Sequence, residues 1–184
     1  GSFSAFAVAQ CVAYSGSNVN DQDYVQWSDT VKSYLTVCDN GNYMRVQSGA
    51  IKGKLLVEYY SSDFEPLSTK LIDNELPIFG GFYDSGNNYY VLSGQENPKQ
   101  NDSLEVFRIT KYDKNWNKIK SCGLYGANTT VPFDAGSARM THSGDHLLVR
   151  TCHEMYKSSD GNNHQANVTI EVDMPSMTIT DSYT

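Results

Sequence analysis

The sequence predicts an all-β protein built from propeller-type blades. Three observations carry this. Strand-forming residues dominate, with thirteen Tyr, many Val, Thr and Asn, and aromatics at 12%. Tight-turn signals recur along the chain. And the same order of strands and turns is repeated three times.

The three units align as follows. The first has SYLTVCDNGNYMRVQSG and then KLLVEYYSSDFEPLSTKLI. The second has IFGGFYDSGNNYYVLSGQEN and then SLEVFRITKYDKNWNKIKSC. The third has GSARMTHSGDHLLVRTCHEM and then ANVTIEVDMPSMTITDSYT. In each, a short strand ends at Asp39-Asn40-Gly41, Asp84-Ser85-Gly86 or His142-Ser143-Gly144, where glycine supplies the positive φ of a hairpin turn. A second strand follows at Tyr43–Val46, Tyr89–Leu92 or Leu147–Arg150. A variable loop leads to a third strand, which turns at Ser61–Pro66, Asp113–Asn117 or Asp173–Ser176 into a fourth. Val168, Ile170, Val172 and Met174 alternate onto one face, as a half-buried strand requires. Four strands at a period of about 40–50 residues is a propeller blade. The plainer alternative, a meander or sandwich, lacks the matched order of turns.

The resulting organisation is an N-terminal strand or linker at 1–26, then blades at 27–76, 77–131 and 132–184, the second including an inter-blade loop. Phe3–Tyr14 reads as a strand of an adjacent blade. Gln22–Leu35 places Tyr24, Trp27, Val31 and Leu35 on one side of a short helix. About three blades form a partial propeller, or one completed by association, including a homodimer, since roughly four blades are needed to close a ring.

Composition narrows function. The net charge is −7 and the basic residues are scattered, so nucleic acid and anionic membranes are not expected partners. No stretch reaches the ~20 apolar residues of a membrane span. Ala5–Ala9 is too short, and lacks the basic start, for a signal peptide. Cys11, Cys38, Cys122 and Cys152 contain no CxxC, and wide spacing leaves free thiols or one or two disulfides open. Asn101, Asn128 and Asn167 head glycosylation sequons, which chance explains in an Asn-rich chain.

At this point the strings ELPIFGGFYDSGNNYYVLSGQENPKQNDSLEVFRITKYDKNW, GANTTVPFDAGSARM, TCHEMYKSSDGNNHQANVTIEV and MTITDSY resemble a family of secreted or surface proteins of anaerobic Gram-positive bacteria. The resemblance runs from about Trp27 to the end. It implies a propeller-like architecture and an extracellular or cell-surface location, and carries no catalytic residue with it.

Blade geometry places the first-to-second and third-to-fourth turns at one end and the long connections at the other. Those connections are Gln95–Asp102, Leu124–Gly136 and His153–Gln165, and long loops on a rigid scaffold are where binding residues gather. The candidate ligand-binding residues are therefore Gln95, Glu96, Asn97, Asn128, Phe133, Asp134, Arg139, His153, Glu154, Tyr156, His164, Gln165 and Asn167. Tyr125, Phe133 and Tyr156 offer stacking surfaces, the amides offer hydrogen bonds, and Arg139 with Asp134 offers an anchor for a polar group. The plainer reading of GANTTVPFDAG is that it only crosses between blades and packs the centre.

Metal and enzyme readings are weaker. His142 and His146 sit about 20 Å of strand away from the loop carrying His153 and His164, so one four-His site does not form. Cys152, His153, Glu154 and His164 suggest a smaller site, and Asp160-Gly161-Asn162-Asn163 a calcium loop, but neither has a metal-site spacing. A hydrogen-bonded loop with an Asp-Gly turn is favoured, with no metal and no cofactor. GxSxG, HExxH, P-loop and GxGxxG motifs are absent. A carboxylate pair drawn from Glu96, Asp102, Asp134 and Glu154 suits glycoside hydrolysis, and His153 or His164 with Tyr156 suits a lyase. The expectation is a non-catalytic extracellular module binding a glycan or a surface protein. Its rivals are a glycan-active hydrolase or lyase and a purely structural repeat.

Overall fold

The computed structural model describes residues 30–184 except Ser137. The strand expected at Phe3–Tyr14, most of the helix expected at Gln22–Leu35, and Cys11 lie outside the described residues. Within them the helix is not found: Ser33–Val37 is the first strand. Its Tyr34 and Leu35 are read more simply as alternating residues of an edge strand.

Among the described residues, thirteen strands form three antiparallel sheets. The first sheet runs β1 (Ser33–Val37), β2 (Tyr43–Ile51), β3 (Lys54–Tyr60) and β4 (Pro66–Asp73), in sequence order. The second runs β5 (Ile78–Asp84), β6 (Tyr89–Gly94), β7 (Glu105–Tyr112) and β8 (Lys118–Tyr125). The third runs β10 (Arg139–Ser143), β11 (His146–Lys157), β12 (Asn163–Asp173) and β13 (Thr178–Tyr183), with β9 (Thr129–Pro132) also paired to β11. The order in each is the simple meander of a propeller blade.

The chain divides into two compact units, holding among the described residues Val31–Asn74 and, with Thr30, Glu75–Thr184. In the first, Arg45 and Glu58 face each other across β2 and β3. Glu58 is buried, and its carboxylate accepts from Arg45 Nη2 at 2.7 Å, Gln47 Nε2 at 2.7 Å and Tyr60 Oη at 2.8 Å. A buried carboxylate is tolerated here because donors reach both of its oxygens.

One hairpin turn recurs four times. A backbone N–H bonds the carbonyl four residues on, and the residue before that carbonyl bonds back, at Cys38–Asn42, Ser61–Glu65, Asp113–Asn117 and Ser158–Asn162. This is a type I turn closed by a left-handed residue. Gly41 and Gly161 take that position at φ +84°. Phe64 and Trp116 take it at +62° and +63°, which bulky side chains avoid. Their rings explain the exception: Phe64 stacks on Tyr43 at 4.5 Å, and Trp116 packs among Phe82, Tyr89 and Tyr112 at 4.9–5.9 Å.

The second unit has a continuous core joining its two sheets, including Tyr90, Leu92, Phe107, Ile109, Leu147, Val149, Val168, Ile170 and Val172. The expected alternation at Val168, Ile170 and Val172 is therefore real, with Met174 packed at the edge. The link GANTTVPFDAG does more than cross between blades. β9 and β10 lie along the same side of β11, with Pro132 opposite His153 and Arg139 opposite Arg150. Residues 133–136 leave that line, and Phe133 drops into the core at 4% exposure. Its ring meets Phe107 edge-on at 5.5 Å. It fits only because β5 and β6 present Gly80 and Gly94: a Cβ on either would fall 2.3 Å or 2.9 Å from the ring. Gly80 sits in a register shift of β5, between Phe79 and Gly81, that gives the ring its seat.

Candidate functional site

The long connections of the second unit converge on a cleft of about 420 Å³. Glu96, Pro98 and Gln100 come from the β6–β7 loop, Thr130 and Val131 from β9, and Glu154, Lys157 and Asn163 from the β11–β12 hairpin.

The walls are held by a hydrogen-bonded hub. Asn97 is 1% exposed. Its N–H donates to Thr130 O at 2.7 Å, its Oδ1 accepts from Asn101 N at 2.9 Å, and its Nδ2 donates to Asn101 O and to Tyr156 Oη at 3.0 and 3.1 Å. Tyr156 in turn donates Oη to Asp102 Oδ1 at 3.1 Å and its backbone N–H to Asn128 Oδ1 at 3.2 Å. Partial burial first, and then the bond to Asp102, hold the Tyr156 phenol above its usual range. The hairpin is tied on by Lys157 N–H donating to Gln100 Oε1 at 2.7 Å. The approach to β9 is a left-handed turn, with Gly126, Ala127 and Asn128 at φ +64°, +49° and +50°. Gly126 takes this conformation freely, but Ala127 and Asn128 take it at a cost that the Asn128 and Thr129 bonds offset.

Several polar groups of the cleft remain without a partner among the described residues. Glu154 Oε1 accepts from Thr130 Oγ1 at 2.8 Å, leaving its Oε2. Asn163 Nδ2 bonds Met155 O at 2.9 Å, leaving its Oδ1. Gln100 Nε2, the Glu96 carboxylate and Lys157 Nζ complete a set of donors and acceptors of both signs facing one space.

Other residues singled out from sequence are placed differently. His153–Gln165 is not a long loop: β11 continues to Lys157 and β12 begins at Asn163, leaving only a turn at 158–162. Strand alternation then separates His153 from Cys152 and Glu154. His153 points inward, wholly buried, with Nδ1 2.6 Å from Thr129 Oγ1 and Nε2 without a partner among the described residues. Thr129 Oγ1 also donates to Ala127 O at 2.9 Å, which assigns the imidazole proton to Nδ1. Burial holds its pKa below the ordinary value, so it is neutral. His153 therefore cannot contact a surface ligand, and a Cys152–His153–Glu154–His164 metal site does not form; no cluster of three or more ligating side chains occurs among the described residues. His164 pairs instead with Asp160 at 2.6 Å within the turn, whose Oδ1 also takes Asn162 N–H at 2.9 Å.

Phe133 and Asn97 are likewise corrected from ligand contacts to buried structural residues. Gln95 Nε2 donates to Glu105 O at 2.7 Å, which closes its loop. Asp134 Oδ2 accepts from Gln165 Nε2 at 2.6 Å, and Cys152 Sγ donates to Asn167 Oδ1 at 3.2 Å, on the outer face of the third sheet with Arg139. Cys122 and Cys152 are free thiols. Thr130, Gln100, Lys157 and Asn163 were missed. The β-branched Thr-Thr-Val of β9 was the available signal for a strand at Thr130.

No protein-family model and no curated protein matches the chain. Among solved structures it is similar to two mutant forms of the Synechocystis apocarotenoid oxygenase, at TM-scores of 0.53 and 0.52 and 10% identity. Each match covers 84% of this chain but only 38% of the oxygenase. A third, a GH43 β-1,3-galactosidase with galactodeoxynojirimycin, has a TM-score of 0.41 at 11% identity, over 83% of this chain and 45% of that one. At 10% identity the oxygenase likeness is one of fold alone.

Proposed function

We propose that this chain is an extracellular propeller-type module that binds glycans at the cleft between the β6–β7 loop and the β11–β12 hairpin. The observation that carries the reading is the set of open atoms there: the Glu96 carboxylate, Glu154 Oε2, Gln100 Nε2, Asn163 Oδ1 and Lys157 Nζ. Alternating donors and acceptors on a rigid wall match a ligand made of hydroxyls. The volume sits near the lower end of the range for small-molecule sites, roughly 300–1,000 Å³, which suits one or two sugar rings. A glycan array followed by calorimetry tests this. Glu154→Gln lowers the affinity for the bound glycan at least tenfold, because a charge-assisted bond is lost. An array with no hit, or equal affinity in the variant, overturns the reading.

Glu96 and Glu154 in one cleft also support a second reading, a glycoside hydrolase with one carboxylate as acid and the other as base or nucleophile. Release of new reducing ends from a bound glycan, abolished in Glu96→Gln and in Glu154→Gln, decides for the enzyme. Saturable binding without turnover decides for the module.

A further inference from the structure

A second polar surface lies on the outer face of the third sheet. Arg139 and Arg150 are directly opposed across β10 and β11. Directly paired residues of an antiparallel ladder share a face. Their strand neighbours Met140 and Val149 point the other way into the core, so both guanidiniums face outward, and both residues are exposed. Like charges in this position repel. A sheet normally relieves such a pair with a carboxylate, and here none is within ion-pair distance of either arginine among the described residues. The acids of the adjacent row, Glu171 and Asp181, pair with each other's strands and reach neither guanidinium. Each arginine has one engaged nitrogen: Arg139 Nη1 donates to Ala138 O at 3.3 Å, and Arg150 Nη1 to Thr169 Oγ1 at 2.8 Å. The remaining donors are open. The same cross-strand row continues through Thr169 to Tyr183, whose ring is 50% exposed.

We propose that this row is a binding site for an acidic glycan, with Arg139 and Arg150 jointly holding a sulfate or carboxylate oxyanion and the Tyr183 ring packing against the adjoining sugar. Two planar guanidiniums side by side match the several oxygens of such a group. A bound anion also removes the repulsion that the unoccupied pair carries. A ligand lying along this row crosses β10 to β13 at right angles, so it meets their side chains and not the backbone edges of β10 and β13, which suits a sugar chain better than an added peptide strand. A chain of net charge −7 with two clustered cations does not suit a nucleic acid. The proposal rests on the glycan reading for its ligand class, but it concerns the cross-strand row at Arg150 and not the cleft side chains farther along β11 at Glu154.

The test uses the intact chain with dextran sulfate, polygalacturonate, neutral dextran and poly-glutamate, measured by calorimetry at low and high salt. The expected result is salt-sensitive binding of the two acidic polysaccharides, with none to neutral dextran. Arg139→Gln and Arg150→Gln each weaken it roughly tenfold, the loss of a charge-assisted contact. Arg150→Lys retains charge without the planar fork and falls between. Both arginines are exposed, so the variants fold, and the free Arg139→Gln protein melts no lower than wild type. Acidic-glycan binding that survives both arginine substitutions overturns this site while leaving the glycan reading standing. Equal binding of poly-glutamate overturns the ligand class, and no binding of any glycan, neutral or acidic, overturns both.

Discussion

Gly80→Ala adds one methyl group to a strand position whose backbone accepts any residue. Elsewhere such a change stabilises by about 0.4–1 kcal/mol, because alanine has fewer unfolded conformations to lose. Here the new Cβ would stand 2.3 Å from Cε1 and Cζ of Phe133. The ring cannot retreat. It is 4% exposed, Phe107 lies 5.5 Å away edge-on, and the Gly94 backbone and Pro132 close the other side. Overpacking of this kind costs about 1–3 kcal/mol, which outweighs the entropic gain, so the net change is a loss of about 1–2 kcal/mol. Phe133→Leu alone leaves part of the seat empty and is also destabilising. Combined with Gly80→Ala, the methyl moves into the vacated space, and the double variant is more stable than the sum of the singles by at least about 1 kcal/mol. Urea denaturation of the four proteins, with m-values compared to confirm a shared unfolded state, measures this. A neutral or stabilising Gly80→Ala, or strict additivity, would refute the idea that these glycines exist to seat Phe133.

The two left-handed aromatics of the hairpin turns, Phe64 and Trp116, should respond unequally to glycine. Trp116→Gly relieves about 1 kcal/mol of backbone strain but removes a ring that is 6% exposed, so it loses about 2–4 kcal/mol. Phe64→Gly relieves the same strain at a residue 58% exposed, losing only one stacking contact of about 0.5–1.5 kcal/mol, and leaves stability within ~0.5 kcal/mol of wild type; equal losses in denaturant melts would refute the comparison. His153 gives a pH signature. Its folded pKa is depressed by burial below the ordinary 6.5, so its contribution is complete above 6.5 and is lost as pH falls through the folded value. His153→Gln therefore flattens the decline in denaturant midpoint between pH 7.5 and 5; parallel declines in the two proteins would show that His153 does not titrate on unfolding.

The meander order and the short turns could be read from sequence because each depends on neighbours in the chain. Asp39-Asn40-Gly41 and Asp160-Gly161 state their turn type through residue chemistry alone. Phe64 and Trp116 close the same turn, but nothing local says so; tertiary packing of their rings overrides the backbone preference. The same limit explains the site. Polar composition marked 153–165 as a loop, while the period-2 pattern of His153, Thr151 and Val149 facing inward becomes visible only once Thr129 and Ala166 are known to cover His153. Glu96 could be read as an exposed acid of a connection from local sequence alone, whereas Glu154 lines the same cleft from within β11. Asn97 was misjudged because an amide that binds a ligand and one that holds a loop look identical in sequence.

The outer face of the third sheet also bears on how the chain associates. A blade face meant to pack on another sheet is apolar, as the inner face is, with Leu147, Val149, Val168, Ile170 and Val172 buried in the core. The outer face instead carries Arg139, Arg150, Asn167 and Glu171. Covering it with a further apolar sheet would bury two guanidiniums that have no carboxylate, at several kcal/mol each. Sheet packing through this face therefore requires a partner surface that supplies anions. Solvent and an anionic ligand satisfy the same chemistry without that requirement, which is why the arginine row is better explained as a site than as an unfinished blade interface.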